Sequence, residues 1–291
     1  MSRMVELSVI IVSYNCPEQI RNCIDSLFKY NDIGNRLEVI VVDNSDDLET
    51  FTLIKEKYSN VKLIKNENNG FGQANNIGAK AASGEFLLFL NPDTLFISRI
   101  FSTALKRFND GNDCFGVQLL DANNRRNSSF GLLNPMGLCR VFFGKVFHFF
   151  NVFIQPIMFI SGADIFIKKE VFFDIGLFDD NIFMYFEETD LFSRMKMRNY
   201  KWRFYKDLKL VHLEGRATSH NFVKKYEMQI DSYKYVCMKL GLNYERDLRK
   251  EFHYCNLKHS LFSFAGNKQK ADDYSKICSF LETQLRGAND A

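Results

Sequence analysis

The sequence predicts an α/β fold built on a mainly parallel sheet. Three observations predict it. Short apolar runs of strand length alternate with amphipathic runs of helix length through the first 91 residues. Three of the apolar runs end on polar residues: Ser13, Tyr14 and Asn15; Asp43, Asn44 and Ser45; Asn91 and Asp93. The chain has 291 residues, 46% hydrophobic and 25% charged, which suits a large packed core and excludes disorder. In sheets of this kind ligands bind beyond the carboxyl ends of the strands. Asp, Asn and Ser also end strands simply because they favour turns. That accounts for one polar exit more easily than for three.

The elements follow in order. "LSVIIVSYN" (7–15) is a buried strand that ends in polar residues. A helix follows over 17–30, where Pro17 suits the first turn and Ile20, Cys23, Ile24 and Leu27 recur at three and four. A strand over 37–45, a helix over 47–58 and a short strand over 61–66 come next. A glycine-opened helix spans 70–82, and "EFLLFLN" (85–91) is a strand. Beyond Asp93 the pattern gives a helix at 98–109 and a strand at 114–120, then an irregular region over 121–158. Order resumes over 158–180, an amphipathic helix lies within 183–200, and strand material over 201–215 carries His212. The remainder, 221–291, reads as helical.

Composition narrows the function. Thirty-eight basic residues against 35 acidic ones give a net charge of +3, which is no footprint for nucleic acid. Seven scattered cysteines, none in a C-x-x-C pair, argue against a zinc site or a disulfide framework and for reduced thiols in a cytosol. The first fifteen residues carry no signal-peptide pattern. The apolar stretch 141–167 is broken by Lys145, His148, Asn151, Gln155, Pro156 and Asp164, so it is expected as core plus a greasy surface loop, not a membrane span. Thirty phenylalanines imply a large aromatic core or an apolar surface that meets something greasy.

Several residues invite chemistry. Asp93 sits behind Pro92 at the end of a buried strand, placed either to ligate a hard cation or to serve as a turn or N-cap acid. Asp43 is either a turn former or an acceptor for the imide N–H of a pyrimidine base. The Gly70–Gly78 stretch resembles a phosphate-binding loop but lacks the G-x-G-x-x-G spacing and the Walker lysine. Glu187, Glu188 and Asp190 are clustered among aromatics; on a helix they cannot all face one way, and each is either a first-turn acid or a general base of raised basicity. His212 ends an apolar strand, as a structural hydrogen-bonder or as a nitrogen ligand.

Together, "VIIVSYN", "VIVVDNSDD", "NNGFGQANNIGAKAASGEFLLFLNPD", "ISGADIFIKKEVFFDIGLFDDNIFMYFEETDL" and "LVHLEGRATS" resemble glycosyltransferase family 2 over roughly residues 5–220. Within it the chain looks closest to the bacterial rhamnosyltransferase-like branch, in which the metal-binding pair of acids reads Asn-Pro-Asp. The resemblance implies a GT-A fold, a Rossmann-like sheet flanked by helices. It gives a catalytic domain over 1–220, with a nucleotide-sugar half to about 95 and an acceptor half from 96, and a helical C-terminal extension over 221–291. It implies an inverting hexosyl transfer from a nucleotide diphosphate sugar, dTDP-rhamnose first and a UDP-hexose next. The acceptor would be a saccharide or polyprenyl-linked saccharide in the synthesis of bacterial surface polysaccharide such as O-antigen or capsule.

The roles it implies fall on residues already singled out. Ser13, Tyr14, Asn15 and Asp43 would hold the nucleotide, with Asp43 on the base. Asn69, Gly70, Phe71, Asn75, Lys80 and Asn91 would line the donor pocket. Asp93 and His212 would ligate Mg²⁺ or Mn²⁺. Glu188 would be the general base, with Glu187 and Asp190 beside it. Asn91 stands where the family has an acid, and Glu188 is one methylene longer than the usual Asp. These departures motivate a rival reading as a non-catalytic nucleotide-sugar-binding scaffold of a glycan assembly complex. A dehydrogenase is excluded because "SYNCPEQI" holds no glycine after the first strand. Four fates stay open for the Phe-rich 141–160 segment: core packing, the acceptor side of the site, a subunit interface such as that of a homodimer, or peripheral contact with the inner face of the cell membrane by a cytoplasmic protein.

Overall fold

The computed structural model describes residues 4–133, 138–213 and 222–289. The chain divides into two compact units. One comprises Met1–Gly131, Phe153–Phe183 and Glu187–Ser219, the other Leu132–Val152, Met184–Phe186 and His220–Ala291.

The first unit is built on an eight-stranded sheet. Its strands are β1 (Leu7–Ser13), β2 (Leu37–Asp43), β3 (Val61–Lys65), β4 (Phe86–Leu90), β5 (Thr94–Phe96), β6 (Cys114–Leu120), β9 (Asp164–Lys168) and β10 (Trp202–His212). The order across the sheet is β3-β2-β1-β4-β9-β6-β10-β5. Every residue of β1 and β4 is buried, as expected of strands covered on both faces. β1 pairs in parallel with β2 and with β4, and β6 pairs in parallel with β10. β9 runs antiparallel between β4 and β6, and β5 runs antiparallel along β10. The sheet is therefore mainly parallel, with two reversed strands. The ends of β1, β2, β4 and β10 share one edge, and the reversed β9 brings its first residue to that same edge.

The helices of this unit are α1 (Pro17–Lys29), α2 (Glu49–Lys57), α3 (Phe71–Ala81), α4 (Phe101–Asn109), α6 (Lys169–Asp174) and α7 (Glu187–Met197). α1 turns Ile20, Cys23, Ile24 and Leu27 into the core, the stripe that the three-and-four spacing predicts. Much of the phenylalanine excess is core: Phe86 stacks on Phe108 at 4.2 Å and Phe115 on Phe166 at 4.8 Å. Gly78 is required where α3 crosses β1, because a Cβ there would lie 2.4 Å from Ile10 Cγ2.

Two elements depart from the sequence reading. β5 falls where the sequence assigns no element; three residues carry too little periodicity to read, and the strand exists because β10 pairs with it. The region 121–158 is not irregular throughout: it holds β7 (Phe130–Leu132), paired with β8 (Met158–Ile160), and helix α5 (Leu138–Phe150). The segment expected as a surface loop is thus partly helical. Its nearly unbroken apolar character hid the period of four that relates Phe143 to Phe147, whose rings lie 6.3 Å apart.

The second unit holds α5, α8 (Phe222–Leu240), α9 (Tyr244–Phe264) and α10 (Lys268–Asn289). Ile230, Tyr233, Cys237, Leu248, Cys255, Ile277 and Leu281 form its core. Tyr233 donates to Asp247 at 3.0 Å, and Lys250 pairs with the other oxygen of that carboxylate at 2.9 Å. These partners hold the Asp247 carboxyl below the usual range, although burial opposes them as the largest single influence.

Candidate active site

The polar exit of β4 meets the end of β10 around one turn, which begins where β4 stops. The Asn91 N–H donates to the Ala163 carbonyl at 3.1 Å, which ends the β4–β9 ladder. Pro92 follows, and Thr94 closes the turn by donating its N–H and its hydroxyl to the Asn91 carbonyl, at 3.2 and 2.7 Å. β5 then runs back along β10, so His212 lies opposite Thr94. As a result Asp93 Oδ1 sits 3.1 Å from His212 Nε2, and the Asn91 side-chain amide 3.4 Å from the same nitrogen. The Leu213 N–H donates to the Asp93 carbonyl at 3.1 Å and fixes the pairing. Asp93 is buried.

This donor set fits a hard divalent cation. Two neighbouring ligands of an octahedral ion, each about 2.1 Å from it, stand about 3 Å apart, which is the Asp93–His212 spacing. The Asn91 amide can present its oxygen by rotation. Among the described residues no group of three His, Cys, Asp or Glu side chains gathers at one point.

The exits of β1 and β2 form a second cluster. Asp43 Oδ1 accepts the hydroxyls of Ser13 at 3.0 Å and Ser45 at 2.6 Å, and Lys65 pairs with Oδ2 at 3.2 Å. The carboxylate is fully buried. Tyr14 donates to Asp46 at 2.7 Å, while the Asn15 N–H donates to Ser45 Oγ at 2.9 Å from a backbone with φ of 47°. Asn66 donates to Asn44 at 2.9 Å and to Gln73 at 3.2 Å. A shelf of amides and hydroxyls thus lines the strand exits.

The third cluster is the start of α7. Glu188 Oε1 accepts the Gly162 N–H at 2.9 Å. Gly162 adjoins Ala163, whose carbonyl holds Asn91, so the anchors of Glu188 and of the Asn-Pro-Asp turn are consecutive residues. Glu187 is buried and its Oε2 has no hydrogen-bond partner. Burial raises both carboxyls, with Glu188 adding to the rise at Glu187 and the Gly162 N–H restraining it at Glu188. Asp190 Oδ2 takes a forked pair from Arg194 at 2.9 and 2.6 Å. The residues just ahead of α7 are strained, since Tyr185 and Phe186 both have positive φ, 68° and 67°. Ser232 holds this segment by donating to the Met184 carbonyl at 2.7 Å.

The glycine-rich stretch does a different job from a phosphate loop. The Phe71 N–H at the head of α3 donates to the Phe183 carbonyl at 3.0 Å. Gly70 has φ of 112°, and a Cβ there would lie 2.6 Å from that carbonyl oxygen. Asn76 grips the same loop through Phe178 O at 2.9 Å and Asp180 at 2.8 Å. Asn75 bonds back to Phe71 O at 3.0 Å, and Asn69 makes only a turn contact to Glu67 O at 2.9 Å. Lys80 is not near the strand exits. It is exposed on the last turn of α3, which runs antiparallel to the strands and carries it to the opposite edge of the sheet.

Sequence reading named Ser45 only as a strand-end residue and passed over Lys65, Asn66, Asn76 and Gly162. Ser45 and Lys65 close the ends of β2 and β3, and the strand-exit argument applied to β3 would have found Lys65. Nothing in the chain near Gly162 announces that Glu188 will lean on it. The "LEGRATS" part of the last motif lies, from Glu214 on, outside the described residues.

An α/β sheet of this order with acids and amides at its carboxyl edge defines a GT-A type glycosyltransferase fold. Solved structures it resembles include Staphylococcus aureus TarS, with a TM-score of 0.58 and 18% identity over 89% of this chain and 44% of that one. Another is a mannosyltransferase from Pyrobaculum calidifontis, solved with GDP-Man and Mn²⁺, with a TM-score of 0.62 and 15% identity over 98% and 88% of the two chains. The chain belongs to glycosyltransferase family 2, whose model matches residues 8–176. Among curated relatives, the poly(ribitol-phosphate) β-N-acetylglucosaminyltransferase TarS of S. aureus is 34% identical over 95 residues, 31% of this chain but only 16% of TarS. The rhamnosyltransferase WbbL of Escherichia coli is 22% identical over 251 residues, 79% of this chain and 92% of WbbL. No helix among the described residues is long and apolar enough to cross a membrane.

Proposed function

We propose that the protein is an inverting, metal-dependent glycosyltransferase. It takes a sugar from a nucleotide diphosphate sugar and passes it to a saccharide or polyprenyl-linked saccharide acceptor in the synthesis of cell-surface glycan. dTDP-rhamnose is the favoured donor, on the similarity to WbbL along most of both chains. The single observation that carries the reading is the adjacency of Gly162 and Ala163, which hold Glu188 and the Asn91–Asp93 turn side by side.

Asp93 and His212 would hold Mg²⁺ or Mn²⁺, with the Asn91 amide beside them and phosphate oxygens completing the shell; the similarity in fold to a mannosyltransferase solved with Mn²⁺ agrees. Bound there, the cation would supply Lewis-acid neutralisation of the leaving diphosphate. Asp43 orders Ser13, Ser45 and Lys65, and these with the Asn44, Asn66 and Gln73 amides receive the nucleotide. Glu188 keeps Oε1 on the Gly162 N–H and turns Oε2 to the acceptor hydroxyl, from which it takes the proton as that oxygen attacks the anomeric carbon. Burial raises the Glu188 carboxyl, with the Gly162 N–H restraining the rise, and a raised carboxyl suits removal of that proton.

A thermal-shift screen of nucleotide sugars with Mn²⁺, followed by release of nucleoside diphosphate with a matched acceptor, tests the reading. One sugar nucleotide should raise the melting temperature, and Glu188→Gln should keep that shift while turnover falls about a hundredfold or more. A protein that no nucleotide sugar stabilises, or a Glu188→Gln variant with wild-type turnover, would sink it.

A further inference from the structure

The segment between Asp121 and Asp164 contains no Asp or Glu at all, in a chain with 35 acidic residues. Its middle is helix α5, which carries Arg140, Lys145 and His148. Apolar side chains of this helix and its exit are turned to solvent: Phe143 is 48% exposed, Phe149 72%, Phe150 65% and Val152 40%. Phe143, Phe147 and Phe150 recur at four and three, so they share one side of the helix. Phe149 and Phe150 meet edge to face at 5.0 Å, making a compact aromatic tip. α5 packs against α9 within the second unit, which gives the tip a rigid base.

A surface helix of a water-soluble protein ordinarily places charge where α5 places phenylalanine. Two occupants could cover such a face, and the charge pattern separates them. A second copy of this chain would present the same acid-free, cationic segment, so a symmetric contact would bring like charges together. An anionic lipid surface presents phosphates to Lys145 and an acyl boundary to the aromatic rings. Aromatic rings with flanking cations are the composition that settles at a bilayer interface without crossing it.

We propose that α5 is a membrane-docking helix that lies in the interface of an anionic bilayer, with Phe143, Phe149 and Phe150 inserted and Lys145 at the headgroups. The surface holds the protein at the lipid face and takes no part in the transfer chemistry. It goes beyond the catalytic reading, and its test measures no sugar transfer, so either can fail alone.

Vesicle flotation tests it with the full chain. The probes are vesicles of phosphatidylcholine with roughly a third phosphatidylglycerol, and vesicles of phosphatidylcholine alone. Wild-type protein should float with the anionic vesicles and largely remain below with the neutral ones. Phe149→Ser with Phe150→Ser should lower the bound fraction about tenfold or more, and Lys145→Glu should weaken it on anionic vesicles only. Light scattering of the same preparations reads the other occupant. A wild-type protein that stays unbound with anionic vesicles overturns the proposal. So does a double variant that binds as wild type does, or a stable wild-type dimer that the double variant dissolves.

Discussion

Gly162→Ala probes how Glu188 is held. The position needs no glycine for its backbone, since its φ is not in the left-handed range. A Cβ there would nevertheless lie 2.5 Å from Glu188 Oε1 and 3.2 Å from its Cδ. Ordinary van der Waals contact requires about 3.4 Å, so the carboxylate must retreat by nearly 1 Å and lose the 2.9 Å bond from the Gly162 N–H. A hydrogen bond to a charged group is worth about 1.5–3 kcal/mol, and a 1 Å misplacement of a reacting group costs up to about a hundredfold in rate. A loss of 10- to 100-fold in kcat is therefore expected, about 1.4–2.7 kcal/mol. Nucleotide binding should stay within about twofold, because the strand exits are untouched. The assay is steady-state release of nucleoside diphosphate, with calorimetry for the nucleotide. Combining Gly162→Ala with Glu188→Gln should cost nothing beyond Glu188→Gln alone, since both act through one carboxylate. Wild-type kcat in Gly162→Ala, or a further full loss in the combined variant, would refute the reasoning.

Asp93→Ala should abolish the Mn²⁺-dependent part of nucleoside diphosphate binding; calorimetry with unchanged binding would contradict the assignment. Asp164 is fully buried, accepts the Val117 N–H at 2.6 Å, and has a carboxyl pushed well above the usual range by burial. The folded state thus keeps a proton that the unfolded chain releases above about pH 3.9, so Asp164 makes stability fall as pH rises from there toward its folded pKa. In chemical melts from pH 4 to pH 8, Asp164→Asn should remove that decline and gain progressively on wild type; parallel pH profiles would refute the buried protonated form. Ser232→Ala should lower unfolding stability by about 1 kcal/mol, read in denaturant, by freeing the Met184 carbonyl ahead of the strained pair.

The first ninety residues were legible because each strand and helix there carries its own period. β1, β2 and β4 end within two residues of where their apolar runs end. Asp93 and His212 were legible as strand-end residues, but their pairing was not: it depends on β5, three residues long, and on a register between β5 and β10 that no local pattern specifies. α5 was missed because phenylalanine on every side of a helix erases its amphipathic signature. Lys80 was placed wrongly because motif proximity ignored the eleven-residue helix that carries it away. Gly162 was invisible because its importance lies in the atoms it leaves out.

Asn91 and His212 touch although 121 residues apart in the chain. A growing polypeptide therefore completes the hydroxyl-and-amide shelf of its strand exits early, from β1 to β3, and the Asp93–His212 pair only when β10 has been made and has docked beside β5. Contacts of such long range are slow to form. On the proposed reading, competence to handle a charged diphosphate would arrive only as β10 enters the sheet.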